Sequence, residues 1–451
     1  MHEFGVSTAD SLILGGLLGD SEIAALFTDD AYVAAMARFE TALATAEADA
    51  GVIPPQAAAA IVERARGFSA DLGAMGQGTV NAAVPTIELV KQMRAHIGGA
   101  EAAWLHWGAT SQDVVDTALV LRLRDVIQIF EGRLRQVLSL LVAQAERHRK
   151  TVMPARTRYQ QALPTSLGLK LASWLAPLPR QLVRLNELKP RLLCVQFGGA
   201  VGTSAALRDR GVAVMHGLAD ALDLGCPDMH WHTQRDNVVE FANWCAMLTS
   251  VLGKLGQDVA LHQQSEIGEL RESTDPARGG SSTMPQKANP IGAEALVTLA
   301  RFNAAQVGNM HQAVVQENER GGPGWMLEWM TLPPMLVATG SALRQAAALA
   351  EELTADAARM QTNLASGNGL IMAEALSFAL AEHMPRPDAQ ALVKQACRES
   401  VARNRTLVDV LKSHTDAPVD WVQAADPAQY LGVADALIDR VLKSARQALA
   451  G

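Results

Sequence analysis

The side chains best suited to chemistry lie in one short stretch of this 451-residue chain. Residues 279–290 read GGSSTMPQKANP and separate two stretches with helical periodicity. Glycine, serine and proline at this density favour turns over a helix interior. A serine, a lysine and an amide so close together could supply a base, a cation for an oxyanion and a hydrogen-bond donor. The sequence therefore predicts a mobile catalytic loop, with a plain linker between helices as the alternative.

Two further segments carry groups that could bind a carboxylate. Residues 106–113 read HWGATSQD and precede a long helical stretch. Hydroxyls and free N–H groups at a helix start are good carboxylate ligands, so Thr110 and Ser111 are candidates for substrate binding. The alternative is that Ser111 and Asp113 only cap the helix. Residues 156–164 read RTRYQQALP and add polar side chains at Thr157, Gln160 and Gln161.

Long helices must position these segments. Residues 112–150 contain no proline and one glycine, which predicts a helix of about 39 residues and about 58 Å. Similar stretches cover residues 236–270 and run from Pro290 to about residue 316. Such helices should lie side by side in an extended bundle that other copies of the chain can complete. We expect an all-α protein with an N-terminal domain (1–105), a central long-helix bundle (106–350) and a C-terminal domain (351–451). Breaks are expected at Pro54 and Pro55, at residues 76–78, and around Pro385, Pro387 and Pro418.

Composition excludes several classes of protein. The chain is 49% hydrophobic and 19% charged, with a formal net charge of −8. It lacks a block of basic residues with interleaved aromatics, so we expect no nucleic-acid partner. No apolar run approaches the ~18 residues of a membrane span, so we expect a cytoplasmic protein without a membrane partner. His230 and His232 lack a neighbouring cluster of ligands in sequence, and we expect neither a metal nor another cofactor. Residues 198–202 are interpreted as a turn between helices, because a dinucleotide-binding loop would need a flanking strand.

Residues 280–290 resemble the GSSxMPxKxNP signature of the fumarase/aspartase superfamily. That resemblance implies an all-α fold with a central long-helix bundle, and a homotetramer with shared active sites. It also implies that the loop closes over a small di- or tricarboxylate substrate and that Ser281 removes a proton next to a carboxylate. A serine is a poor base at its ordinary pKa, so it would need a nearby cation and a site closed to water.

The resemblance also assigns the other residues of the loop. Lys287 and Asn289 would hold the carboxylate whose charge grows in an aci-carboxylate intermediate. Ser282 and Met284 lie in the same segment and are assigned to substrate binding. Loss of Ser281 or Lys287 would have indicated a catalytically silent helical scaffold, as in lens crystallins of this fold, and both residues are present.

The general acid is not settled by the resemblance. Residues 156–164 are similar to a superfamily segment that elsewhere reads RTxxQHAxP, and Gln161 stands where that histidine would be. A neutral amide can form a hydrogen bond but cannot donate a proton to a leaving group at pH 7. His106 is the nearest alternative acid, although it could equally be a carboxylate ligand or a capping group. Arg320 could clamp a carboxylate or serve a structural ion pair, and for Arg235 we favour the structural role.

Several other stretches are similar to bacterial 3-carboxy-cis,cis-muconate cycloisomerases. They are QFGGAVG at 196–202, WHTQRD at 231–236, QENER at 316–320, WMLEW at 325–329 and DPAQYLG at 426–432. That family implies reversible lactonization through an aci-carboxylate carbanion, in the aerobic breakdown of protocatechuate. The same intermediate would also serve an epimerase or C–N lyase of an aminodicarboxylate such as iminodisuccinate. Gln286 keeps that alternative open, because the muconate enzymes commonly have histidine there.

Overall fold

The computed structural model describes residues 7–450 and is overwhelmingly helical. Six α-helices precede residues 106–113: Gly15–Leu18 (α1), Ser21–Ala25 (α2), Asp29–Asp49 (α3), Pro55–Arg64 (α4), Leu72–Ala82 (α5) and Thr86–Ile97 (α6). The central helices are Ser111–Arg147 (α7), Leu167–Leu175 (α8), Leu178–Leu192 (α9), Gly211–Leu222 (α10), Asp236–His262 (α11), Ile291–Ala313 (α12) and Pro323–Glu352 (α13). The last six are Ala357–Ala365 (α14), Ala373–Ala381 (α15), Arg386–Arg403 (α16), Leu407–Lys412 (α17), Trp421–Ala424 (α18) and Ala434–Ala450 (α19).

Two short antiparallel pairs interrupt the helices. Strands Val152–Thr157 (β1) and Gln160–Ser166 (β2) form a hairpin in which Thr157 pairs with Gln160 and Arg156 with Gln161. Strands Leu270–Arg271 (β3) and Thr354–Ala355 (β4) form the second pair. The all-α class is confirmed, but the hairpin was not anticipated, because the segment lacks a run of β-branched residues.

The chain divides into two compact units, each made of three chain segments. The first unit contains residues up to 133, 181–250 and 299–343, and the second contains 134–180, 251–298 and residues from 344 onward. A large apolar core lies in the first unit and includes Met36, Phe39 and Leu43 of α3. A smaller core in the second unit includes Leu376, Leu380 and Leu411. The division into three consecutive domains stays a prediction.

The predicted long helices are present. Two predictions need correction, namely the end of α11 and the break at residues 76–78. Helix α7 has 37 residues and lies where the sequence placed it. Helix α11 ends at His262 rather than near residue 270, because the chain turns at residues 263–268 and then forms β3. The predicted break at residues 76–78 is wrong, since α5 runs through them. A Cβ atom at Gly78 would lie 2.7 Å from the Glu88 Cβ of α6, so glycine there permits close helix packing.

The length and hydropathy of a helix decide whether it could cross a membrane. Within residues 7–450 no single helix is long and apolar enough to cross a membrane. One bent pair, Ala357–Ala365 with Leu370–Ala381, meets the length and composition test when its two segments are taken together.

Candidate active site

The start of α7, in the first unit, carries Thr110 and Ser111. The Thr110 backbone N–H donates to the Asp113 carboxylate over 2.9 Å, so Asp113 caps the helix. The Thr110 hydroxyl accepts a 2.5 Å hydrogen bond from the Arg320 guanidinium. The half-buried Ser111 hydroxyl has no hydrogen-bond partner among the described residues, which leaves it open to a ligand.

Asp113 is fixed by contacts from two other segments of the chain. Its carboxylate lies 2.7 Å from the His232 Nε2 and accepts the backbone N–H groups of Gly198 and Gly199 at 3.1 and 3.0 Å. All of these atoms are buried. The glycine-rich turn therefore uses its N–H groups internally, in agreement with the interpretation of residues 198–202 as a structural turn. Within residues 7–450 no group of three or more His, Cys, Asp or Glu side chains is arranged to hold a metal ion.

Arg320 and Arg235 have different environments. The Arg320 guanidinium contacts the Thr110 hydroxyl, the Gln112 side-chain oxygen at 3.3 Å and the Ala200 carbonyl at 3.3 Å. It makes no ion pair in the part of the chain that the structure describes, so its charge is available beside Thr110. These contacts fit a carboxylate clamp.

Arg235 is completely buried and fully paired. Its guanidinium contacts the Asp116 carboxylate at 2.7 Å and the Glu328 carboxylate at 2.5 Å. Asp116 also accepts the Trp325 indole N–H at 2.9 Å. Arg235 therefore has the structural role that was favoured, and it anchors α11 to α7 and α13 within the first unit.

His106 precedes the helix start and is bound to a buried glutamate. Its Nδ1 lies 2.6 Å from the Glu40 carboxylate, its side chain is 18% exposed, and its backbone φ is +60°. Burial of the imidazole opposes its charge, but the charge and hydrogen bond of Glu40 outweigh that effect, so the pKa of His106 is raised. Burial, together with the nearby Glu40, raises the pKa of Glu47 to about 9, which leaves Glu47 neutral at pH 7. Glu40 is the partner that sequence reasoning missed.

In the second unit, the β1–β2 hairpin carries Thr157, Gln160 and Gln161 at its exposed end. The two turn residues, Arg158 and Tyr159, both have positive φ, at 50° and 65°. These values are typical of a tight two-residue hairpin turn. The Gln161 amide donates a 3.3 Å hydrogen bond to the Asn363 carbonyl oxygen.

A buried carboxylate at Glu269 organises the base of this hairpin. It receives both terminal nitrogens of Arg156 at 2.7 Å, the Asn363 amide at 2.7 Å and the His262 Nδ1 at 2.9 Å. Burial alone would raise the pKa of Glu269, but the hydrogen bonds from His262, Arg156 and Asn363 lower it to about 2. Because Asn363 contacts both Glu269 and Gln161, the network connects the buried anion to the candidate substrate-binding end of the hairpin.

The signature loop connects α11 to α12, also in the second unit, and contains neither helix nor strand. Its ends are joined by the hydrogen bond from the Asn289 N–H to the Gly279 carbonyl, at 2.8 Å. Gly279 has φ +68°, and a Cβ atom there would lie 2.2 Å from the Asn289 carbonyl oxygen, so only glycine fits. Between these ends, residues 282–288 are exposed, and they include Ser282, Met284 and Lys287.

Ser281 is half buried, and its hydroxyl oxygen faces backbone donors. It accepts the Met284 N–H at 3.1 Å and the Thr283 N–H at 3.4 Å. Two N–H groups directed at one oxygen would stabilise the alkoxide form that a serine base requires. The loop predicted from the sequence is present, and two of its own backbone N–H groups contact the hydroxyl oxygen of Ser281.

The predicted residues fall into two groups. His106, Thr110, Ser111 and Arg320 belong to the first unit, where hydrogen bonds connect Thr110 to Arg320. The hairpin residues and the loop residues belong to the second unit. Sequence reasoning missed Glu40, Glu269 and Asn363, because their partners lie 66, 113 and 202 residues away along the chain.

Comparison with known proteins accounts for this arrangement of motifs. Residues 20–305 match the family described as lyase, and residues 369–441 match the adenylosuccinate lyase C-terminus. The chain is 42% identical to the 3-carboxy-cis,cis-muconate cycloisomerase of Pseudomonas aeruginosa, over 93% of each protein. It is 34% identical to the nitrosuccinate lyase of Streptomyces davaonensis, over 97% of this chain and 95% of that protein.

A solved structure agrees with the sequence comparison. The 3-carboxy-cis,cis-muconate lactonizing enzyme from Pseudomonas putida is 38% identical and superposes with a TM-score of 0.93, covering 98% of this chain and 100% of that one. The helical fold, the loop signature and the near full-length similarity lead to one conclusion. The chain belongs to the lyase family, and it is an enzyme of the fumarase/aspartase superfamily.

Proposed function

We propose that this protein is a 3-carboxy-cis,cis-muconate cycloisomerase that converts its substrate reversibly into the carboxymuconolactone during protocatechuate breakdown. The observation that carries this proposal is the 42% identity to such an enzyme over 93% of each chain. The position of Ser281 on the loop between α11 and α12 supports it, because two backbone N–H groups are directed at the hydroxyl oxygen.

The chemistry follows from a carbanion next to a carboxylate. In the lactonizing direction, an oxygen of one substrate carboxylate adds to a carbon–carbon double bond. The electron pair moves into the neighbouring carboxylate and forms an aci-carboxylate, which then takes a proton at the α-carbon from the Ser281 hydroxyl. In reverse, Ser281 removes that proton and the ring carboxylate leaves. Lys287 and Asn289 bind the aci-carboxylate, whose charge is largest in the intermediate.

The remaining candidate residues bind the substrate carboxylates. Thr110 and Ser111 offer hydroxyls at the start of α7, and Arg320 adds a guanidinium that lacks a carboxylate partner among residues 7–450. Thr157, Gln160 and Gln161 contact the substrate from the hairpin, and Ser282 and Met284 do so from the loop. A guanidinium beside two hydroxyls is suited to a carboxylate because all three groups can donate hydrogen bonds.

A carboxylate leaves as a weak base, so the reaction tolerates Gln161 in place of a histidine. We assign the remaining acid function to His106. Glu40 occupies its Nδ1, which directs Nε2 away from the buried carboxylate, and raises its pKa. The imidazolium then donates a hydrogen bond to the departing carboxylate in the ring-opening direction.

We also propose that the enzyme acts in the cytoplasm as a homotetramer whose subunits share active sites. Large apolar side chains lie exposed on the long helices, which is typical of surfaces that other subunits cover. They include Val183, Met247, Phe302 and Met330, at 52%, 46%, 39% and 76% exposure. Sedimentation of the active protein tests this assembly, because a fully active monomer would contradict it.

The function is tested with enzymatically generated 3-carboxy-cis,cis-muconate. The expected result is rapid loss of the conjugated-diene ultraviolet absorbance with the wild-type protein and none with the Ser281→Ala variant. An unchanged diene with wild-type protein would contradict the proposal.

A second candidate is an epimerase or C–N lyase of an aminodicarboxylate. Gln286 differs from the histidine that is common in muconate enzymes, and the 34% identity to a nitrosuccinate lyase favours the C–N alternative. If the diene persists, release of the amine or nitrogen group, or inversion at the α-carbon of iminodisuccinate, would establish it.

A further inference from the structure

A cavity of about 700 Å³ lies in the first unit, among α2, α3, α5, α7 and α13. Its volume is within the range of small-molecule binding sites. Most of its wall is apolar and includes Phe27, Met36, Met75, Leu119 and Val337. We call it the Arg122 pocket, after its one basic lining residue among those described.

Arg122 contributes a charge without a counterion. Its guanidinium carbon lies 4.4 Å from the centre of the Tyr32 ring and 5.1 Å from that of Phe27. Its Nε donates to the Ala118 carbonyl one turn earlier, at 3.2 Å. Within residues 7–450 its two terminal nitrogens have no hydrogen bond and no ion pair. Burial lowers the pKa of Arg122 to about 10, so the group is still charged at pH 7.

Tyr32 adds a second donor to the same pocket. Its hydroxyl has no hydrogen-bond partner among the described residues, and burial raises the pKa of the phenol, which keeps the proton on the oxygen. Arg122 and Tyr32 are both half-buried, and among the described residues neither the terminal nitrogens of Arg122 nor the Tyr32 hydroxyl has a protein partner. A ligand anion that contacts both groups would accept charge-assisted and neutral hydrogen bonds that no protein group among residues 7–450 accepts.

The remaining charges limit the ligand to a single negative charge. Asp10, Asp29 and Glu328 also line the pocket. The Glu328 carboxylate shares the single charge of Arg235 with Asp116, so Glu328, Asp10 and Asp29 would all repel negative charge beyond the one that Arg122 balances. A tricarboxylate such as the proposed substrate would therefore be disfavoured here. The two aromatic rings beside Arg122 and the apolar wall favour a flat, apolar body.

We propose that the Arg122 pocket binds a small aryl monocarboxylate, with its carboxylate on Arg122 and Tyr32 and its ring against the apolar wall. The Arg122 end of the pocket is distant from the substrate-binding residues at the start of α7, whereas Val115 at its other end lies one turn from Ser111. Ser111 and Arg122 are 11 positions apart on that helix, which corresponds to about 16 Å along its axis. The inference does not depend on the proposed reaction, because binding is measured without turnover.

The pocket is connected to the helix start through buried ion pairs. Glu328 lines the pocket and holds Arg235, which in turn contacts Asp116 of α7. Asp116 lies between Arg122 and the capping residue Asp113 on the same helix. A ligand that binds the Arg122 pocket only in the folded state would raise the temperature at which the first unit unfolds.

Isothermal titration of the full-length protein with benzoate tests the proposal. We expect saturable binding at one site per chain, and at least about tenfold weaker binding of benzyl alcohol, which lacks the charge. That contrast requires no variant. Arg122→Met should weaken benzoate binding at least about tenfold, and Tyr32→Phe should weaken it by a smaller factor.

Two controls identify the site. Arg124→Met changes a guanidinium on the same helix that contacts the carbonyls of Leu222 and Asp223, and it should leave benzoate binding unchanged. Arg320→Met should also leave it unchanged, since Arg320 is assigned to the substrate site. Absence of benzoate binding, equal binding of benzyl alcohol, or loss of binding in Arg320→Met with full binding in Arg122→Met would each overturn the proposal.

Discussion

The start of α7 and the signature loop both carry groups assigned to the substrate, but they are held very differently. At the helix start, Asp113 is buried and receives hydrogen bonds from Thr110, Gly198 and Gly199, and from His232. In the loop, residues 282–288 are exposed, one hydrogen bond joins Gly279 to Asn289, and the Gln263 amide donates to the Ala288 carbonyl at 3.1 Å. The first segment is preorganised, whereas the second can change its conformation at little cost.

This difference has a chemical reason. A segment that binds a substrate carboxylate before reaction gains affinity when its donors are already in place. A serine base, by contrast, must be kept from water during proton transfer and must still admit the substrate, which favours a loop that closes. We therefore expect substitutions in the loop to affect turnover without changing the free energy of unfolding. Substitutions of the buried residues that hold the start of α7 should affect both.

The largest expected effect is on turnover, from Ser281→Ala. Removal of the hydroxyl removes the proposed base, so kcat should fall by about 10³-fold or more. The half-buried side chain has hydrogen bonds only to its own loop, so the midpoint of urea unfolding should stay within error of the wild-type value. Steady-state kinetics and urea titrations measure the two quantities.

The matched control is Thr283→Ala, which removes a hydroxyl from the same exposed loop. It should retain most of the activity. Substantial activity in Ser281→Ala would exclude Ser281 as the base, and a large fall in its unfolding midpoint would show that the loop contributes to stability after all.

The second effect is on stability, from Asp116→Asn beneath the helix start. Asp116 neutralises a completely buried guanidinium and accepts the Trp325 N–H, so the substitution leaves Arg235 with Glu328 alone. Because Glu328 still balances the charge of Arg235, the cost should be that of lost hydrogen bonds to a charged group, about 1.5–3 kcal/mol in the free energy of unfolding. Urea denaturation measures it.

Asp125→Asn is the corresponding change at an exposed position of the same helix. Asp125 lies 3.9 Å from Arg124 with its side chain 54% exposed, so the cost should be about 1 kcal/mol or less. Similar costs for the two substitutions would mean that burial does not distinguish the two sites.

Sequence reasoning found the groups that are adjacent along the chain and missed those that depend on packing. Ser281, Lys287 and Asn289 lie within nine residues of one another, so the motif could be recognised without a structure. Glu40 and His106 are 66 residues apart, and nothing in either local sequence indicates that they form a pair. Contacts of this kind are set by tertiary packing, which a single sequence does not reveal.

The fold shows the same limit. The class and the helix α7 followed from periodicity, but helix α13 continues through Pro333 and Pro334, which local rules treat as helix breakers. Packing of that helix outweighs the hydrogen bonds that the two prolines cannot make. The hairpin was missed for the opposite reason, since its strands are only six and seven residues long and carry prolines at 154 and 164.

The smallest expected effect comes from Glu40→Gln. It distinguishes the two roles proposed for the start of α7, which are carboxylate binding and the acid function of His106. Burial of the imidazole lowers the pKa of His106, while Glu40 and, more weakly, Asp113 raise it and Arg94 lowers it, and the net shift is upward. The amide keeps the size of the side chain but removes the largest raising contribution. If protonated His106 assists the departing carboxylate, ring-opening kcat should fall as the pH rises and His106 loses its proton. The midpoint of that fall should lie at a lower pH in the variant than in the wild type, with a loss of about tenfold or less at neutral pH.

A purely structural role for Glu40 makes a different prediction. A raised histidine pKa stabilises the folded protein below the unfolded pKa of about 6.5, and this contribution is lost as the pH rises through the folded value. Glu40→Gln would then lower the free energy of unfolding at pH 5.5 more than at pH 8.5, while the pH profile of kcat kept its wild-type shape. A displaced kcat profile would make Glu40 a positioning residue that acts through His106. An unchanged profile would remove His106 as the acid and leave its proposed site, at the start of α7, with carboxylate binding alone.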